Sequence, residues 1–151
     1  MAAVDIAKEI RLMDDENASI IRDFLTEIGS GSLNKAVSYL TEDATWTIVQ
    51  TVRGVTVSKD QLMAPIAGMR ASFKDNILQV KLINFIESGA SVAVEGESYA
   101  VTNLGKVYEN KYVYTFKMKD GKIADAREYN DSLHVTDVLL PAIAHTQAQA
   151  R

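Results

Sequence analysis

Between positions 78 and 131 the sequence alternates in character with a period of two through four successive segments, 78–87, 91–101, 106–118 and 122–131. Every break between them is short and contains glycine: "SGA", "TNLG" and "KDG". Loops of that length return the chain antiparallel to the strand before, because a parallel crossover needs about a dozen residues or more. The segments therefore predict a four-stranded meander, and such a sheet is stable only when something covers one of its faces.

The residues ahead of the meander supply a cover. In "DDENASIIRDFLTEIGSGS", Ile20, Ile21, Phe24, Leu25 and Ile28 recur at helical spacing, with acids at the start and Gly29 at the end. Ser32 is placed to cap a short second helix whose Leu33, Ala36, Val37 and Leu40 form one stripe. "ATWTIVQTV" reads as a β-branched strand carrying the only tryptophan, Trp46. From Ser58, "SKDQLMAPIAGMRASF" sets Leu62, Ile66, Met69 and Phe73 at helical spacing, with Pro65 and Gly68 expected to kink or interrupt it. After the meander, His134 to about His145 reads as a final short helix bent at Pro141. No repeat or linker divides the chain, so residues 1–151 are expected to form a single α+β domain. Its helices cover one face of a curved antiparallel sheet.

Composition removes several classes of function. The net charge is −4, and the sixteen basic residues are scattered rather than clustered, which argues against nucleic acid as a partner. There is no cysteine, so a disulfide framework, a thiolate nucleophile and a thiolate metal site are excluded; with only two histidines, a zinc centre is not expected. No apolar run approaches the length of a membrane span or a signal-peptide core, and a cytoplasmic protein is expected.

Hairpin arithmetic then assigns faces, because directly opposed residues of an antiparallel pair share one. A two-residue loop at Asn103 and Leu104 pairs Glu97 with Asn110 and Glu95 with Tyr112. A three-residue "KDG" loop, with Gly121 left-handed, sets Tyr112 against Glu128, Asn110 against Asn130, Tyr114 against Ala126 and Phe116 against Ala124. Glu95, Glu97 and Glu128 then share a face, whereas a two-residue "DG" loop turns Glu128 to the other one. Like charges close together and partly desolvated push at least one carboxyl pKa upward, which equips a site for general acid–base work on an uncharged substrate. Tyr99, Tyr112 and Tyr114 could donate to a developing oxyanion, and Asn110 or Asn130 could orient a water. The opposing reading puts Glu95 and Glu97 on a solvated face, with Val92, Val94 and Ala100 inward and Lys81 across from Glu97. Trp46 is either core or ligand platform, and His134 either a helix-start residue or a ligand contact.

Two or more helices, an early strand with "DATW", a kinked helix, the meander and the "DGKI" to "REYND" ending resemble the nuclear transport factor 2 superfamily, in its SnoaL-like and ketosteroid-isomerase-related branch. The resemblance covers nearly the whole chain and is most specific in "GKVYENKYVYTFKMKDGKI" and "REYNDSLHV". It implies a cone in which the sheet and N-terminal helices enclose a pocket, usually in a homodimer. Members include isomerases, cyclases, dehydratases, epoxide hydrolases and plain binding proteins, so the fold leaves the activity open. The limonene epoxide hydrolase branch ends its last strand in an Arg-Asp-Tyr-x-Asp run, which is similar to Arg127, Glu128, Tyr129, Asn130 and Asp131 here. Its two working carboxylates would correspond to Glu97 and Glu128. The arginine between them is Glu95 in this chain, and the residues that hold the water fall on Trp46 and Ile48. The steroid isomerase base also falls on Ile48, so neither activity carries over.

The expectation is thus a cofactor-independent acid–base enzyme (isomerase, dehydratase, cyclase or hydrolase) acting on a small hydrophobic metabolite, without metal. Glu97, Glu128, Glu95 and Tyr112 are the candidate catalytic residues. Trp46, Tyr99, Asn110, Tyr114, Asn130 and His134 are the candidate substrate contacts. A homodimer through the outer sheet face is expected, with no nucleic-acid or membrane partner. The alternative is a non-catalytic binding or accessory protein using the same pocket.

Overall fold

The structure, a computed structural model, describes residues 6–49 and 54–151. The chain opens with α1 (Ile6–Ser30), which begins ahead of the periodic stretch and buries Ile21, Phe24, Leu25 and Ile28. Ser32 caps α2 (Leu33–Ser38), its Oγ accepting the Lys35 N–H at 3.2 Å. β1 (Leu40–Val49) carries Trp46 inward, and β2 (Val55–Ser58) pairs back on it antiparallel. That second strand is too short, at four residues, to show a period, and residues 50–52 of the expected early strand lie outside the described residues.

A single 3₁₀ turn, Lys59–Gln61, precedes α3 (Met63–Ala71). Pro65 therefore falls in the first helical turn, where a missing N–H removes no intrahelical bond, and the helix runs past Gly68 uninterrupted. The meander follows as β3 (Gln79–Ser88), β4 (Ser91–Val101), β5 (Val107–Lys119) and β6 (Lys122–Asn130). Asp131 then caps a C-terminal helix, its Oδ1 accepting the Leu133 and His134 N–H groups. That helix runs from α4 (Ser132–His134) through a π-helical segment, Val135–Leu139, into α5 (Leu140–Gln149). The widened segment lies just ahead of Pro141, whose ring would otherwise press on a carbonyl of the preceding turn.

The strands form one open, six-stranded mixed sheet in the order β2-β1-β6-β5-β4-β3. β1 runs parallel to β6, and all other neighbours are antiparallel. The helices cover one face, giving the α+β architecture expected of the sequence. On β5 the alternation is complete: Tyr108, Asn110, Tyr112, Tyr114, Phe116 and Met118 are all buried. Phe24 of α1 packs onto the sheet in the larger core cluster, with its ring 5.5 Å from Trp46 and 6.4 Å edge-on to Phe116.

Both hairpin registers differ from the expected ones, with opposite consequences. The β4–β5 loop has three residues, not two: Thr102 N–H donates to Lys106 O, and Gly105 takes a positive φ of 77°. Glu97 therefore faces Lys111 and Gly96 faces Tyr112, which turns Glu95, Glu97 and Tyr99 to the outer face. Lys81 stands across from Glu97, and Val92, Val94 and Ala100 point inward. The β5–β6 loop has two residues, Asp120 and Gly121, both with positive φ as a type I′ turn demands. Alone, that loop would put Glu128 outside. A bulge intervenes: Met118 pairs with Ile123 and Lys117 with Asp125, leaving Ala124 unopposed. The extra residue restores the parity, so Glu128 and Asn130 face inward after all. Tyr114 stands opposite Glu128 and Phe116 opposite Ala126, each two residues from the expected partner.

Candidate functional site

Where the inner faces of β1, β5 and β6 meet α3 and the C-terminal helix, a cavity of about 280 Å³ remains unfilled. Its wall is overwhelmingly apolar: Ile48, Val57, Leu62, Ile66, Met69 and Leu139 among others. Six strand residues with polar side-chain atoms line it as well: Trp46, Tyr108, Tyr112, Tyr114, Glu128 and Asn130. Parallel pairing of β1 with β6 sets Trp46 beside Ala126 and Ile48 beside Glu128.

Among the described residues Glu128 is the only carboxylate in the cavity wall. Burial pushes its carboxyl from an ordinary value near 4.5 up to about 7, and a hydrogen bond donated by Asn130 Nδ2 to Oε2 at 2.8 Å opposes that rise only in part. Among the described residues no cation pairs with it. A group poised near neutrality in an apolar site can accept and return a proton with little driving force wasted either way.

Tyr112 and Tyr114 stack with ring centroids 5.2 Å apart, but their hydroxyls stand differently. Asn110 Nδ2 donates to Tyr108 OH at 2.9 Å; Tyr108 OH lies 3.2 Å from Tyr112 OH, which lies 2.8 Å from Ser98 Oγ. Either hydroxyl of each pair can be the donor, and in both directions the partners of the Tyr112 hydroxyl, Tyr108 and Ser98, are themselves buried. Tyr114 OH makes no hydrogen bond among the described residues. Burial holds the Tyr108, Tyr112 and Tyr114 phenols above the ordinary tyrosine value, so all three are neutral donors at physiological pH.

Among the described residues two further polar atoms are buried without a partner, Trp46 Nε1 and Asn130 Oδ1. One is a donor and the other an acceptor, and both residues line the cavity.

The structure divides the candidate residues of the sequence. Trp46, Tyr112, Tyr114, Glu128 and Asn130 meet in the apolar cavity. Glu97, Tyr99, Asn110 and His134 instead line an open groove of about 780 Å³ together with Lys81 and Lys111. There Glu97 makes a solvent-screened ion pair with Lys111 at 3.9 Å, and His134 stacks on Tyr108 while its Nε2 accepts the Glu109 N–H. Asn110 is a strut: its Oδ1 accepts the Lys111 and Asp131 N–H groups and its Nδ2 reaches Asp131 O. Glu95 joins neither site. The groove is larger and open, and Glu97 in it is paired with Lys111, whereas Glu128 in the cavity is buried. Tyr108 was missed by sequence reasoning, although it shares the parity of Asn110, Tyr112 and Tyr114. Among the described residues no cluster of three or more His, Asp or Glu side chains is placed to hold a metal ion, and no helix is long and apolar enough to cross a membrane.

Helices on one face of an open sheet, closing over an apolar cavity with a single carboxylate in its wall, define a small α+β domain of the nuclear transport factor 2 type. The sequence profile of the SnoaL-like domain matches residues 21–126, more than half of the chain, and the protein belongs to that family. Solved structures agree in fold. A phenazine biosynthesis-related protein from Pseudomonas aeruginosa superposes with a TM-score of 0.73 at 16% identity, covering 88% of this chain and 90% of that one. TerC, co-crystallised with polyporic acid, gives 0.71 at 17% identity over 83% and 98% of the two chains. A protein of ketosteroid isomerase-like fold from Catenulispora acidiphila, in complex with trimethylamine, gives 0.64 at 13% identity over 73% and 83%. No curated protein matches the sequence.

Proposed function

We propose that the protein is an acid–base enzyme that moves a proton on a small, uncharged ligand in the apolar cavity, with Glu128 as the proton-transfer group and Tyr114 as the donor to the oxygen that gains charge. The observation that carries this reading is the lone, unpaired Glu128 carboxylate in an apolar wall, steadied by Asn130 and directly opposite Tyr114. One carboxylate can take a proton from the carbon beside a carbonyl and return it elsewhere on the same molecule, while the enolate oxygen accepts from a tyrosine. Hydrolysis with a second carboxylate on the leaving group does not suit this wall. Isomerisation, or a cyclisation started by enolisation, does. Neighbours of biosynthetic description and one crystallised with polyporic acid support a ligand-handling role of this kind.

Exchange of the carbonyl-adjacent protons of tetralone for deuterium, followed by NMR in heavy water, tests it without knowledge of the natural substrate. Wild-type protein and Glu97→Gln are expected to catalyse exchange equally, and Glu128→Gln to lose it by about a hundredfold or more. Exchange that survives Glu128→Gln overturns the assignment. The single carboxylate also favours a second reading, a carrier that binds such a ligand and leaves it unchanged. In that case the ligand binds and no exchange occurs.

The outer sheet face presents Ile86, Val113 and Tyr129, each more than two-fifths exposed, beside the mixed charges of Lys117, Asp125 and Arg127. We assign this face to a homodimer in the cytoplasm. Sedimentation equilibrium is expected to give twice the chain mass, and Val113→Lys to give the monomer.

A further inference from the structure

The side on which the cavity opens fixes which end of a ligand meets Glu128. Val55 and Leu140 line the cavity yet are 56% and 48% exposed, and Pro65, also in its wall, is exposed too. Residues that face both cavity and solvent stand at a mouth, and these three are apolar. Val55, Ile48, Glu128 and Tyr114 hold opposed positions on β2, β1, β6 and β5, and all four line the cavity. β2 is an edge strand of the sheet. At the usual strand spacing Glu128 lies about 10 Å inward of Val55, and Tyr114 about 14 Å. A ligand that enters at this edge passes the apolar Ile48 before it reaches the carboxyl.

The polar atoms within a ligand's reach are at the inner end. Glu128 is deep in the fold yet only partly covered, so the surface it keeps faces the cavity. Its Oε2 accepts from Asn130, whereas its Oε1, like Tyr114 OH, has no partner among the described residues. Trp46 Nε1 and Asn130 Oδ1 are fully enclosed by their neighbours; Glu128 Oε1 and Tyr114 OH are not. The Tyr114 hydroxyl calls for an acceptor, which an ammonium group lacks. An anion would meet Glu128 with no cation in the wall among the described residues.

At the packing density of protein interiors about three-quarters of the 280 Å³ can be filled, on the order of 200 Å³, which is room for roughly ten to thirteen non-hydrogen atoms. A longer ligand must leave the surplus at the mouth. We propose that the ligand is a neutral carbonyl compound, polar at one end only, whose carbonyl enters first and accepts from Tyr114 OH. Its hydrocarbon end fills the way back past Ile48 and leaves between Val55, Pro65 and Leu140. This rests on the reading of Glu128 and Tyr114 given above, and adds that the site is strict at the carbonyl end and permissive in length at the other.

Isothermal calorimetry with cyclohexanones carrying a methyl, propyl, pentyl or heptyl chain at carbon 4, opposite the carbonyl, tests this. Affinity is expected to rise about three- to fourfold per methylene up to propyl or pentyl, and then to level off without falling at heptyl. 2-Propylcyclohexanone, whose chain would be driven into the inner end, is expected to bind about tenfold more weakly than the 4-propyl compound. Leu140→Ser removes apolar surface at the mouth and is expected to weaken the heptyl member more than the methyl one. Equal affinity along the series, loss of binding at heptyl, or equal binding of the 2- and 4-propyl compounds overturns the proposal. So does tighter binding of 4-propylcyclohexylamine than of the ketone. Graded binding without deuterium exchange of the bound ketones supports this ligand class and counts against the enzymatic reading. Exchange without grading along the series does the reverse.

Discussion

Tyr114 and Glu128 stand directly opposite one another on β5 and β6, and both line the cavity. The pair places a neutral hydroxyl donor and a proton acceptor across one strand spacing, which is close enough to act on adjacent atoms of one ligand. Tyr114→Phe removes the hydroxyl while keeping the stacking on Tyr112. It is expected to slow tetralone exchange by about tenfold to a hundredfold with little change in tetralone affinity, as a group that acts on developing charge should. Comparison of exchange rates at saturation with calorimetric affinities checks this.

Glu128 also couples stability to pH. Its carboxyl titrates at about 7 in the folded chain and near 4.5 when exposed, so between these values the folded state binds more protons than the unfolded one. Stability is therefore expected to fall as pH rises through that window, by on the order of 3 kcal/mol in full. In urea denaturation at a series of pH values, Glu128→Gln is expected to remove this slope and to be the more stable protein at pH ~8.

Asn110 is expected to matter for stability rather than chemistry. Its side chain accepts the backbone N–H groups of Lys111 and Asp131 and donates to Tyr108, so it ties the end of β6 to β5 and anchors the tyrosine relay. Asn110→Ala leaves those amides without an acceptor. A loss of about 2–3 kcal/mol in denaturant unfolding is expected.

Gly96 keeps the cavity wall in place. A Cβ there would lie 3.3 Å from Tyr114 Cε2 and 3.4 Å from Leu82 Cδ2, so the ring would have to shift by a few tenths of an ångström. Gly96→Ala is expected to cost about 1 kcal/mol of stability. Tetralone exchange should fall by more than that loss explains, because the displaced ring is the one opposite Glu128.

The helices, the meander and the polarity of β6 were legible in the sequence because periodicity reports them directly. Facing was harder, since it depends on loop length and bulges, where one residue inverts a whole strand. "TNLG" permits a two- or a three-residue loop, and the extra residue sent Glu95, Glu97 and Tyr99 outward together. Glu128 was placed inward by an argument about "KDG" that the structure replaces: the turn has two residues, and the bulge at Ala124 supplies the third. Nothing in "GKIADARE" marks a bulge, because Ala124 has no side-chain signature for it. Trp46 and Asn130 could be named from sequence, but not that each would keep an unpartnered atom, which is a property of the neighbours the fold withholds from them.

Ala124 works on β6 as an inserted letter works on a reading frame. Upstream of it Ile123 lies in the core; downstream the frame changes, and Ala126, Glu128 and Asn130 take the inner side while Arg127 and Tyr129 stay outside. Without that shift the same residues would present Asp125, Arg127 and Tyr129 inward, and an ion pair would stand where a lone carboxylate now does. The strand thus encodes two possible linings, and a single alanine with almost no side chain selects between them. Variation in the length of this hairpin, rather than in the identity of its polar residues, is the shortest route by which a relative of this protein could acquire a different chemistry.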